Sequence, residues 1–316
     1  MLNVLLEFTA VVLGIGLLVW GANQFIDNAV ALAQRWGVST IIIGLTVVAF
    51  GTSAPELFVS TMAALQGNRD IGIGNAVGSN VTNIALVLGA TAVIVAIPVH
   101  GKLFRMEFPM LLVNTGVLYF LLADGVFNRV DGMVLLLMLA TNAYVITYVA
   151  LSKREISDLV HVHPASHTVK WMLVGLASLL ISAEILVWGA EHLAKRIGVS
   201  DLVIGLTVVE LGTSLPELAA SLAGAIKKHH GLAIGNIIGS NIFNISAAMA
   251  MPALIHPGPV NADLLNRDYW IMAGLTLSIP VLAFAIPTKP GQIGRTAGIL
   301  LLSSYGAYCV MLYMTS

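Results

Sequence analysis

Residues Gly37 to Gly67 read GVSTIIIGLTVVAFGTSAPELFVSTMAALQG, and residues Gly198 to Lys228 read GVSDLVIGLTVVELGTSLPELAASLAGAIKK. Seventeen of these 31 positions are identical at a constant offset of 161 residues. A second pair stands at the same offset: GNAVGSNVTNI from Gly74 to Ile84 matches GNIIGSNIFNI from Gly235 to Ile245 at seven of 11 positions. Two separated blocks that recur in one register mean that the chain is built twice.

What surrounds the repeats is almost entirely apolar. Of 316 residues, 58 % are hydrophobic and 10 % charged, where a soluble domain carries about 25 % charged residues. Mean hydropathy is +0.91. So few charges cannot cover a soluble globule of this size, and disorder needs polarity. With 15 basic and 16 acidic residues there is no surplus to meet a phosphate backbone, which excludes a nucleic-acid binder. One cysteine, Cys309, allows neither an internal disulfide nor a thiolate metal site. The composition is that of a protein whose partner is the lipid bilayer.

A crossing helix needs about 20 apolar residues. Charges and Pro/Gly clusters divide the chain into ten such spans, at 4–30, 38–66, 71–98, 107–123, 130–152, 168–194, 199–226, 231–254, 268–287 and 294–314. The fold class expected is all-α, with no soluble domain. Residues 1–152 form a first repeat and 168–316 a second, joined by the polar seam 153–167. The first segment lacks a basic lead and a small-residue cleavage site, and is read as a retained span rather than a signal peptide. Five spans per half reverse the second copy, so the repeats are inverted.

Loops on one side carry Arg69, Arg129, Lys195, Arg196 and Arg267. The other side carries Arg35, Lys102, Arg105, Lys153, Arg154, Lys170, Lys227, Lys228, Lys289 and Arg295. Basic residues favour the cytoplasm, which puts the 153–167 loop inside and both termini outside. Inverted repeats with helices broken at the midplane are a transporter arrangement.

Glu56 and Glu217 lie in the middle of apolar stretches, where a carboxylate costs several kcal/mol unless it binds something. Each ends the frame Gly-Thr-Ser-x-Pro-Glu, from Gly51 and from Gly212. Pro55 and Pro216 remove a backbone donor and clash with the preceding turn, so a break is expected there. It would free carbonyls near 48–51 and 209–212, and free carbonyls at membrane depth must line a cavity or meet an ion. Thr52, Ser53, Thr213 and Ser214 add hydroxyls. A plainer reading is a capping box, since Ser53/Glu56 and Ser214/Glu217 have the S-x-x-E spacing.

In the second block Asn75, Ser79 and Asn83 share one helix face, with Asn80 close by. Asn236, Ser240, Asn241 and Asn244 repeat the pattern. Small-residue helix packing with amide glue accounts for the glycines and less well for eight matched polar groups. Together these oxygens, with no Cys or His, suit a hard cation that takes about six to eight oxygens, namely Ca²⁺. Soft metals are disfavoured, and no Arg or Lys near mid-span invites an anion.

The paired blocks, 44–57 with 74–84 and 205–218 with 235–245, resemble the alpha repeats of the calcium/cation antiporter superfamily. The resemblance is strongest to short prokaryotic sodium/calcium exchanger-like members, and it covers nearly the whole chain. It implies a core of spans 2, 3, 7 and 8, long tilted spans 1 and 6 that slide, and a rigid outer wall. It implies exchange of Ca²⁺ for Na⁺, H⁺ or K⁺ by a secondary transporter, not an enzyme, with no cofactor and no soluble protein partner, acting as a monomer in a bacterial or archaeal cell (inner) membrane. By position, Glu56 and Glu217 would be the central carboxylates. Thr52, Ser53, Thr213 and Ser214 match ligand positions beside them, and Ser79, Asn83, Ser240 and Asn244 those of the partner helices. The carbonyls of Ala49 and Glu210 match backbone ligands.

Two departures stand out. Some relatives carry Asp where Asn83 or Asn244 stands here; two amides argue against K⁺ co-transport. Glu210 stands at the place that Ala49 holds in the first repeat, where a small residue is usual, and either adds charge at an ion site or lines a wetted vestibule. His161, His163 and His167 are read as a polar loop rather than a metal sensor. No nucleotide-binding P-loop is present, so a gradient supplies the energy. The reading is Na⁺/Ca²⁺ antiport that exports Ca²⁺, against an H⁺-driven antiporter, a passive channel or Mg²⁺ carrier, and a non-transporting scaffold.

Overall fold

The computed structural model describes residues 2–99, 106–152, 165–198, 210–285 and 290–315. The first helix, α1 (Leu2–Trp36), runs 35 residues. It leads to a bent pair, α2 (Thr40–Thr52) and α3 (Ala54–Leu65), with 43° between them. Next come α4 (Arg69–Ile94), strand β1 (Ile97–Pro98), α5 (Glu107–Leu122), β2 (Val126–Phe127) and α6 (Arg129–Ser152).

The second half opens with α7 (Ala165–Arg196), so residues 165–167 of the expected seam are helical, while 153–164 lie outside the described residues. It continues through α8 (Glu210–Thr213), α9 (Leu215–Ile226), α10 (His230–Ile255) and β3 (Gly258–Pro259). A π-helical turn at Leu264–Asp268 leads into α11 (Tyr269–Phe284). β4 (Gln292–Ile293) and α12 (Arg295–Thr315) complete it.

Among the described residues six helices are long and apolar enough to cross a membrane, and the bent α2–α3 pair makes a seventh. The helices α5 and α9 are apolar but shorter. Burial ranks the spans. In their most apolar windows α4 is 78 % buried and α10 89 %, whereas α1, α6, α7 and α12 are 17–33 % buried. The polar second block of each half therefore lies on the two innermost helices, and the apolar outer faces of the rest are left for lipid.

α1 and α7 are longer than the 4–30 and 168–194 read from hydropathy. At about 1.5 Å per residue each exceeds a hydrocarbon layer of roughly 30 Å, long enough to cross it tilted or to project beyond it. They run antiparallel in close contact: Glu7 meets Arg196 at one end, Gly14 lies on Leu186, and Gly175 on Phe25. A Cβ on Gly175 would stand 2.5 Å from the backbone nitrogen of Phe25, so glycine sets how near the helices come. α1 and α7 share an apolar cluster with α2 and α9, and a larger cluster joins α4 and α10 to α5, α6, α11 and α12.

Small polar devices hold the outer helices. Asn114 and Asn142 exchange amide hydrogen bonds of 3.3 and 3.0 Å between α5 and α6. A capping box opens α6, where the Asn128 side chain receives the Val130 and Asp131 N–H groups and Asp131 receives the Asn128 N–H. The strands pair antiparallel across the halves, β1 with β4 and β2 with β3.

Candidate ion-binding site

The two Gly-Thr-Ser-x-Pro-Glu frames fold alike. The helix breaks at Ser53 (φ −85°, ψ 10°) and at Ser214 (φ −90°, ψ 2°), each followed by proline in the first turn of the next helix. Pro55 has no N–H for the Gly51 carbonyl, nor Pro216 for that of Gly212. Ser53 and Ser214 make no side-chain capping bond, so the capping-box reading fails. Ser53 Oγ instead donates to Glu217 Oε1, in the other half of the chain, at 2.9 Å.

Glu56 and Glu217 are both fully buried. Neither is ion-paired among the described residues, and their carboxyls lie near enough for their charges to repel. Thr52, Ser53, Ala49, Ser79, Asn83, Ser214, Ser240 and Asn244 are buried, and Thr213 is half-buried. The Thr52 and Ser240 hydroxyls face Glu217. Ala49 departs from the expected free backbone ligand: its carbonyl accepts the Ser53 N–H at 3.0 Å, which leaves one lone pair. Glu210 opens the short α8 turn, and its side chain lies outside the described residues.

The second blocks are matched in backbone as well. Asn83 and Asn244 each begin a π-helical turn, Asn83–Leu88 and Asn244–Ala248. Such turns widen the hydrogen-bond ladder and recur at functional positions. α3 packs against the π turn of α10, and α9 against that of α4. Each carboxylate-bearing helix thus meets an asparagine of the opposite half. Asn83 Nδ2 also donates to Asn241 Oδ1 at 3.2 Å.

Seven oxygens at these predicted positions have no hydrogen-bond partner although buried: Glu56 Oε1 and Oε2, Glu217 Oε2, Ser214 Oγ, Ser240 Oγ, Asn83 Oδ1 and Asn244 Oδ1. Buried polar atoms are nearly always paired, and unpaired carboxylates cost most. Among the described residues no group of three or more His, Cys, Asp and Glu converges. The donor set is hydroxyl, amide and carboxylate oxygen, which suits hard cations.

Sequence reasoning grouped Asn75 and Asn236 with the candidate ligand oxygens and missed their role and their partners, Ser60 and Ser221. Asn75 Nδ2 donates to the Glu56 backbone carbonyl at 3.0 Å and to Ser60 Oγ at 3.0 Å. Asn236 Nδ2 does the same for Glu217 at 3.4 Å and Ser221 at 2.9 Å. Ser60 and Ser221 stand at identical places in the quoted stretches, and that coincidence was the available signal. Asn75 and Asn236 hold the turns that carry the carboxylates.

A family model described as "Sodium/calcium exchanger protein" matches residues 6–148 and 167–314. A provisionally named antiporter, CaxA, of Alkalimonas amylolytica is 41 % identical over 96 % of this chain and 97 % of its own length. The sodium/calcium exchanger MaX1 of Methanosarcina acetivorans is 27 % identical over 97 % and 98 %. The solved structure of the sodium–calcium exchanger NCX_Mj soaked with Na⁺ and Sr²⁺ superposes with a TM-score of 0.83 at 33 % identity, covering 99 % of both chains.

Proposed function

This chain belongs to the sodium/calcium exchanger protein family, and from that premise we propose that it exchanges Ca²⁺ for Na⁺ across the membrane by alternating access and exports Ca²⁺. The observation that carries the reading is the set of seven unpaired buried oxygens around two carboxylates with no cationic partner among the described residues. Glu56 and Glu217 supply the charge for one Ca²⁺. Thr52, Ser53, Thr213, Ser214, Ser79, Asn83, Ser240 and Asn244 supply neutral oxygens, with the carbonyls of Ala49 and Glu210 at the flanks.

The physical logic is one of coupling. Two like charges in a low-dielectric interior repel when no cation lies between them. The empty charged site is therefore costly, and the protein turns across the membrane when loaded. Extracellular Na⁺ displaces Ca²⁺ from the outward site, and cytosolic Ca²⁺ reloads the inward one.

The architecture we propose is ten spans in two inverted five-span repeats, 1–152 and 168–316, with the 153–167 loop cytoplasmic and both termini outside. The antiparallel α1/α7 pair supports the inversion, because these are the first helices of the two halves. The protein works as a monomer in a bacterial or archaeal cell membrane.

The test is flux. Proteoliposomes loaded with Na⁺ and diluted into Na⁺-free ⁴⁵Ca²⁺ are expected to take up calcium, and Glu56→Gln or Glu217→Gln to abolish it. Uptake that ignores Na⁺ and follows a pH gradient would replace Na⁺ by H⁺ as counter-ion. Uptake with no counter-gradient would mean a channel.

A further inference from the structure

Asn236 is fully buried and joins the two halves. Its Nδ2 reaches the Glu217 backbone carbonyl, which can only accept, and this fixes the amide's orientation. Oδ1 therefore faces Thr52, and the Thr52 hydroxyl must be the donor in their 3.2 Å contact. That hydroxyl has one hydrogen but three acceptors within 3.4 Å, Asn236 Oδ1 and the carbonyls of Val48 and Ala49 at 3.1 and 3.4 Å, and it also faces the Glu217 carboxylate. Donation to Asn236 leaves both carbonyls without that hydrogen. It also leaves the lone pairs of Thr52 Oγ1 free for a cation. Donation back to the helix would occupy a carbonyl with a proton.

We propose that Asn236 is a positioning residue for the cargo site. It holds the turn of Glu217 through the backbone and Ser221. It also draws the Thr52 proton away from the Val48 and Ala49 carbonyls, so that ligands from both halves become available together. The idea rests on the proposed function, because Thr52 must belong to the ion site for its proton to matter. Asn236 itself touches no cargo.

A double-mutant cycle tests the link. In Na⁺-loaded proteoliposomes, half-saturating Ca²⁺ and maximal rate are measured for Thr52→Val, Asn236→Ala and the double variant. Each single change is expected to raise half-saturating Ca²⁺ about tenfold, as loss of one good hydrogen bond at a site does, with a smaller change in maximal rate. The double variant is expected to fall well short of the roughly hundredfold that independent effects would give, because part of what Asn236 does passes through Thr52. Thr52→Ser, which keeps the hydroxyl, is expected to restore near-native half-saturation. Asn236→Leu keeps the branched side-chain outline without the amide and stands in if the alanine variant does not fold.

If the two effects multiply, or if both Asn236 variants transport with native half-saturation while Thr52→Val does not, Asn236 does not position Thr52. If Thr52→Val itself leaves half-saturation unchanged, it is the ion-site assignment of Thr52 that fails, and this inference falls with it.

Discussion

Glu56 and Glu217 stand at the same place in the same repeated frame, yet their surroundings differ. Glu217 accepts a hydrogen bond from Ser53, while both oxygens of Glu56 are unpaired and Ser214 Oγ donates to nothing. Asn236 is buried and tied to Thr52, whereas Asn75 is only half-buried. Gly235 is packed so tightly that a Cβ would lie 2.5 Å from the Ile41 carbonyl, whereas Gly74 is exposed and lines a hollow of about 170 Å³ with Asp70, Asn261 and Asp263. Duplicated sequence does not make duplicated surroundings within one conformation. Among the described residues the surroundings of Gly235 are closed and those of Gly74 open, and 199–209, the counterpart of the start of α2, lies outside the described residues. In the proposed cycle the halves exchange these environments.

The strongest way to break that comparison is to remove each carboxylate in turn. Glu56→Gln and Glu217→Gln are each expected to lower Na⁺-driven Ca²⁺ uptake on the order of 100-fold, because charge count sets affinity at oxygen sites. If one variant transports normally, the halves do not share a site.

The closed half is expected to be intolerant of bulk. Gly235→Ala should destabilise the detergent-solubilised protein by about 1–3 kcal/mol, the usual cost of overpacking, since backbone and not a flexible side chain stands in the way. Gly74→Ala should be close to neutral. Thermal denaturation of the two variants reads the difference, and equal losses would mean that the open face is not open in solution.

The serines sharpen the contrast without adding volume. Ser53→Ala removes a hydrogen bond to a carboxyl group and is expected to cost about 1.5–3 kcal/mol in ion-free protein. Ser214→Ala removes a hydroxyl that has no partner and is expected to cost almost nothing there. Both should weaken Ca²⁺ binding, measured by calorimetry, if both hydroxyls ligate cargo. A Ser214→Ala variant with native Ca²⁺ affinity would remove Ser214 from the site.

How much of this was legible follows residue by residue. Pro55 and Pro216 announced the breaks because proline's missing donor is a local property, and the carboxylates stood out against apolar flanks. The clamp of Asn75 on Glu56 and Asn236 on Glu217 left only the coincidence of Ser60 with Ser221 as a trace: Asn75 and Ser79 look equally suited to hold a cation, and only packing turns one towards a backbone carbonyl. The S-x-x-E spacing suggested a cap, but Ser53 found a carboxyl group from 164 residues away, a tertiary contact that no local pattern encodes. The excess length of α1 and α7 was hidden because their ends carry polar residues, which hydropathy reads as loop. The asymmetry of the halves was beyond reach altogether, since Ser53 and Ser214 are the same letter in the same frame.

The smallest expected effect concerns the ends of the α1/α7 pair. Arg196 binds Glu7 with two contacts of 2.6 and 2.7 Å. The 161-residue offset puts Arg35 in the place of Arg196 and Thr168 in the place of Glu7, so this end carries a carboxylate where its counterpart carries a hydroxyl. The arginine side chain is largely open while that of Glu7 is covered. Exposed ion pairs contribute little, but stripping the partner from a covered carboxylate is worse than removing both charges. Arg196→Gln should therefore lower thermal stability slightly more than the double change Glu7→Gln/Arg196→Gln, while half-saturating Ca²⁺ stays native in both. Added salt should narrow the gap between wild type and variants, because screening weakens an open pair. A double variant less stable than Arg196→Gln alone would mean that the Glu7 carboxylate is held by something other than Arg196, and the difference between the two ends of α1 would then not lie in this ion pair.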